Sequence, residues 1–78
     1  MKFEHSDKYV KLGLKIAYYR KLKGYTQEQL AENIGISSTF IGQIEAPNIV
    51  KAVSLDTLFT IADFLHVPVK NFFDYDSD

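Results

Sequence analysis

Between Thr26 and Glu45 the apolar positions follow two short helical periods separated by a glycine, TQEQLAENIGISSTFIGQIE. Leu30, Ala31 and Ile34 share one face of the first period, and Phe40, Ile41 and Ile44 form the stripe of the second. Thr26 is placed as an N-cap, and Gln29, three residues on, can reach back to complete a capping box. Gly35 stands where the chain must leave the first helix in a left-handed conformation, which a residue without a Cβ adopts at little cost. Ser37 then caps the second helix. Helices joined by roughly three residues cannot lie side by side and antiparallel, so this pair is predicted to cross steeply. Ala31 is the small residue positioned for the close contact.

The flanking pattern adds three more helices. Leu12, Ile16 and Tyr19 recur at i, i+4 and i+7, which predicts a first helix over about Lys8–Leu22, capped by Ser6 or Asp7 and ended by Gly24. Pro47 stops the third helix. The apolar segment Ile49–Val53 is expected to fold back onto the core or to join a subunit interface. Ser54 caps a fourth helix whose inward stripe is Leu55, Leu58, Ala62 and Leu65, with Phe59 and Ile61 flanking and Phe64 at roughly the opposite azimuth. Val67 and Pro68 open a short fifth helix in which Val69, Phe72 and Phe73 pack back. The expected organisation is a flexible start (1–7), one all-α five-helix domain (8–73) and an acidic tail (74–78).

Composition narrows the function. A chain of 78 residues is one domain near the small end of what folds alone. It has no cysteine, so neither a disulfide framework nor a thiolate site is available. No apolar run approaches the roughly 20 residues of a membrane span, and MKFEHSDKYVK lacks the apolar centre of a secretory signal, which points to the cytoplasm. His5 and His66 have no ligand-like spacing, and no phosphate loop or nucleophile grouping occurs, so neither enzyme, metal nor cofactor is expected. The formal charge is −1, yet its distribution is uneven. Lys8, Lys11, Lys15, Arg20, Lys21 and Lys23 lie in one stretch without an acid, whereas Gly24 to Val50 holds three acids and no base. Those lysines serve either a nucleic-acid footprint or simply a solvated helix face.

With Leu30, Ala31, Gly35, Ile41 and Ile44 at this spacing, the chain resembles the phage-repressor family of helix-turn-helix proteins (Cro/cI-type, XRE, lambda-repressor-like) over roughly residues 12 to 73. The resemblance implies an Arg20–Glu45 ion pair tying the first helix to the third. It departs at Ala46, Pro47 and Asn48, where the family more often has a polar residue and a glycine. It also implies double-stranded DNA as partner, with the helix over about 38–45 in the major groove. Ser37, Ser38, Thr39 and Gln43 are the outward candidates for base reading, and Phe40 either meets a thymine methyl or covers the core edge. Glutamine pairs bidentately with adenine, and this helix has no arginine or lysine for guanine, so Gln43 implies an A·T-leaning site. Phosphate contacts carry over to Lys15, Thr26, Gln27, Asn48 and Lys51. Gly42, in mid-helix, either admits the duplex backbone or is a tolerated exposed glycine. So few charged contacts imply a homodimer, for which Ile49, Phe64 and Phe72 are the candidate surfaces. A dimeric repressor is the leading expectation. An interaction module of the same fold, or an antitoxin-like protein binding a toxin and its operator, remains open.

Overall fold

Side-chain caps set three of the helix starts. In the computed structural model, which describes residues 4–74, Thr26 Oγ1 accepts from the Gln29 amide while Gln29 Oε1 accepts from the Thr26 amide. Ser37 and Ser54 accept in the same way from the amides of Phe40 and Thr57. The elements are α1 (Ser6–Leu22), α2 (Gln27–Ile34), α3 (Ser38–Glu45), α4 (Leu55–Leu65) and a closing 3-10 helix (Val69–Phe73). No strand occurs among the described residues. Gly24 and Gly35 both take positive φ, 86° and 76°, which turns the chain sharply out of α1 and out of α2. α2 then leans on α3, and α1 and α4 close around the pair over a core of Leu12, Ile16, Leu30, Ile41, Leu58, Ile61, Leu65 and Phe72.

Several expectations change. The architecture is four α-helices and a 3-10 helix rather than five α-helices, because only five residues separate Pro68 from Asp74. α1 takes in Ser6 and Asp7 and starts after His5 with no side-chain cap. α4 ends through His66, a non-glycine residue in the left-handed region at φ 57°. The inward stripe of α4 is Leu58, Ile61, Ala62 and Leu65, while Leu55 is 60% exposed. That rotation brings Phe64 from the far side to the flank, where its ring lies 4.9 Å from Tyr25 and packs against the core. Phe64 is therefore an internal contact between α4 and the α1–α2 turn and not a free aromatic for a subunit interface. Phe72 is also withdrawn as an interface residue: it is fully buried, its ring edge-on to Tyr19 at 5.3 Å. Phe73, expected to pack back, faces outward, and Val53 is the residue that anchors the 49–53 segment in the core. Of the expected start and tail, residues 1–3 and 75–78 lie outside the described residues.

One glycine decides how α3 is held. Gly13 is buried in the middle of α1, and a Cβ there would fall 1.6 Å from the Ile44 carbonyl oxygen. Only a hydrogen lets the two backbones meet so closely.

Candidate nucleic-acid interface

Glu45, the last residue of α3, accepts three bonds from two side chains. Arg20 of α1 donates to it through a two-pronged fork, Nε to Oε2 at 2.7 Å and Nη2 to Oε1 at 2.8 Å. The remaining guanidinium nitrogen, Nη1, donates to the Tyr25 carbonyl at 2.7 Å, which fixes the turn between α1 and α2. Gln27, the first residue of α2, donates Nε2 to Glu45 Oε1 at 3.0 Å. Arg20 and Glu45 are buried, and among the described residues no buried side-chain polar atom is left unsatisfied. A carboxylate out of water needs this many donors, since its desolvation is otherwise uncompensated. The outcome is mechanical: α1, α2 and α3 are locked at one point, at the far end of α3 from its exposed start.

Sequence reasoning reached Arg20 and Glu45 but missed the bond from Gln27 and the role of Gly13. The Gln27 contact spans residues 18 apart in the chain and leaves no periodic trace. Gly13 did leave one: a glycine inside a long helix costs about 1 kcal/mol against alanine and calls for a packing reason.

With α3 fixed, its outer face is set by the buried positions Ile41, Ile44 and Glu45. Ser38, Thr39, Gly42 and Gln43 fall on the other side, with Ser38 and Thr39 exposed and Gln43 half-buried. Ser38, Thr39 and Gly42 meet Thr26, Gln27 and Glu28 across an open cleft of about 580 Å³, with Arg20 at its base. Gly42 keeps this cleft open, and a Cβ there would sit in ordinary contact with Gln27 Oε1 at 3.5 Å. Gln27 and Glu28, whose amides lack an intrahelical acceptor at the start of α2, line the same space, the arrangement that receives an anion.

The remaining expected contacts divide. The Ser37 and Thr26 hydroxyls are engaged as caps, so each keeps its proton and one lone pair for an external partner. Phe40 packs against the core edge with Lys51 Nζ 5.6 Å above its ring, which brings Lys51 to the flank of α3. Asn48 and Ile49 are exposed in the turn that follows. Lys15 is not part of this group. It lies about 140° around α1 from Arg20 by the helical advance, and its Nζ sits 6.0 Å from the Tyr18 ring.

Comparison with known proteins agrees with this geometry. The family model described as Helix-turn-helix matches residues 16–72. The chain is 41% identical over 63 residues to the uncharacterized HTH-type transcriptional regulator YazB of Bacillus subtilis, covering 74% of this chain and 91% of that one. It is 39% identical over 64 residues to the uncharacterized HTH-type transcriptional regulator MJ0272 of Methanocaldococcus jannaschii, covering 82% and 94%. Among solved structures it is similar to the restriction-modification controller protein C.AhdI from Aeromonas hydrophila, with a TM-score of 0.77, 28% identity and 86% and 98% coverage. It is likewise similar to the biofilm master regulator SinR in complex with DNA, with a TM-score of 0.73, 33% identity and 81% and 98% coverage.

Proposed function

The chain belongs to this helix-turn-helix family of non-enzymatic, DNA-binding transcription regulators, and from that premise we propose that it is a dimeric repressor reading the major groove with α3. The observation that carries the proposal is the pairing of an outward polar face, Ser38, Thr39 and Gln43, with the open N-terminus of α2 across one cleft. Laid along a duplex, such a pair puts side chains at base edges while the α2 amides and Gln27 grip the adjacent phosphate. Gln43 is the base reader of choice, its amide matching adenine, and Ser38 and Thr39 add adaptable contacts. Lys51, held over Phe40, supplies a cation to the backbone beside α3. SinR, solved in complex with DNA, supports the same use of the fold.

Glu45 gives Gln27 a double part. One N–H of its Nε2 is committed to the carboxylate and the other is left for a phosphate, so the side chain is aimed before any DNA arrives, and less rotamer freedom is lost on binding. Arg20, three-fold bonded, positions α3 rather than touching the duplex.

The test is a titration of selected and random duplexes with Gln43→Ala and Gln27→Ala. The first is expected to lose about 1–3 kcal/mol of discrimination at one base pair, and the second to weaken binding to every sequence. A second function, a protein-interaction module with little DNA affinity, is favoured by one fact: α2 and α3 contain no lysine or arginine. Binding that never rises above a salt-sensitive background on any selected duplex would establish it in place of the first.

A further inference from the structure

The lysines of α1 are not used by the interface above. On the helical advance, Leu14, Tyr18 and Leu22 occupy a band about 80° wide, on the side of α1 turned away from the core positions Leu12, Ile16 and Arg20. Their exposures are 46%, 56% and 62%, an i, i+4, i+8 row of large apolar side chains in water. Lys11 and Lys15 border the row on one side and Lys21 on the other. At its centre the Tyr18 ring lies edge-on to Tyr19 at 4.9 Å with the Lys15 ammonium 6.0 Å from it. A single exposed leucine needs no explanation, but an aligned row framed by like charge does.

We propose that this face of α1 is a docking surface for an acidic amphipathic helix of a partner protein. The charge frame selects the occupant. A second copy of this chain laid here about a two-fold axis would set lysine rows against each other, whereas glutamates and aspartates flanking an apolar stripe meet both the lysines and the row. A row some 12 Å long suits about two turns of helix. Because the row and the α3 face lie on different sides of α1, partner and DNA can be held at once. The inference goes beyond the DNA-binding function and does not depend on it.

The probe is a synthetic 16-residue helix with leucines at i, i+4, i+8 and i+11 and glutamates on both flanks, titrated into the full chain by NMR and by fluorescence anisotropy. Shifts confined to α1 between Lys11 and Leu22, weakening with salt, are expected. Leu14→Ser with Tyr18→Ser should cut affinity at least tenfold, and Lys11→Glu with Lys15→Glu should transfer preference to the same peptide carrying lysines for glutamates. Thermal unfolding and DNA titration of both variants check that fold and duplex binding persist. Any of three results would overturn the proposal: no binding, equal binding of the acidic and basic peptides, or shifts outside α1. So would phosphatidylglycerol vesicles perturbing α1 where the acidic peptide does not.

Discussion

A buried carboxylate with three donors is both the best-held group in the molecule and the most exposed to mutation. Glu45 and Arg20 are each buried, so deleting one strands the other's charge. Glu45→Ala is expected to cost about 3–5 kcal/mol, a large part of the roughly 4–12 kcal/mol total for a domain of this length. Replacing both partners by apolar residues of like volume should cost less than Glu45→Ala alone, since neither charge is then left behind. Urea unfolding at low temperature measures both. A double variant that is no more stable than Glu45→Ala would mean that the fork binds α1 to α3 by its bonds and not merely by mutual neutralisation. Gln27→Ala, which removes a half-buried neutral donor, should lower stability by only about 1 kcal/mol. A large loss of DNA affinity in that variant would then belong to the phosphate contact.

Two glycines on neighbouring helices answer the same substitution with opposite signs. Alanine favours either helix interior by about 1 kcal/mol. At Gly42 nothing opposes that gain, because the new Cβ reaches only an ordinary contact with Gln27, so Gly42→Ala should raise the melting temperature while hindering DNA at the cleft. At Gly13 the Cβ meets the Ile44 backbone, which has no rotamer to change, and Gly13→Ala should destabilise by a net of about 1–3 kcal/mol. Equal thermal shifts in the two variants would contradict the close α1–α3 approach. The contrast also shows what the sequence made legible. Caps at Thr26, Ser37 and Ser54 and the turn at Gly35 depend on residues within four positions and could be read directly. The facing of α4 could not: counting Leu55 inward and Ile61 as a flank turned the wheel enough to send Phe64 to the wrong side, and only packing against Tyr25 settles it. The cleft is of the same kind, built by Gly13 and by a Gln27–Glu45 bond that no local pattern announces.

At the scale of the molecule, the cations that could reach a duplex beside α3 are few, and this bears on how the proposed repressor would reach useful affinity. The cleft offers uncharged helix amides and Gln27 with one nearby cation, Lys51, so few counterions are released per subunit and the salt slope is expected to be shallow, roughly −1. Pairing two copies would double that slope and fix half-sites about one helical turn, 34–36 Å, apart. With Phe64 packed on Tyr25 and Phe72 buried, the exposed large apolar side chains outside α1 among the described residues are Ile49, Leu55, Phe59 and Phe73. Leu55 and Phe73 rim an apolar groove of about 510 Å³ between α1 and α4, whose floor includes Leu12, Val53 and Leu58. A two-fold contact through α4 and the 3-10 helix would bury this rim, with Lys8 of α1 at the border of the groove. Sedimentation equilibrium is therefore expected to show a dimer at micromolar concentration, and Leu55→Asp with Phe59→Asp to give a helical monomer whose salt slope on a full palindrome is halved. Both substituted side chains are exposed, so loss of the dimer would not be loss of the fold. A wild-type chain that stays monomeric at high micromolar concentration, yet binds the palindrome with twice the slope of a single half-site, about −2, would place the pairing on the DNA alone, with the duplex rather than the groove setting the distance between the two copies of α3.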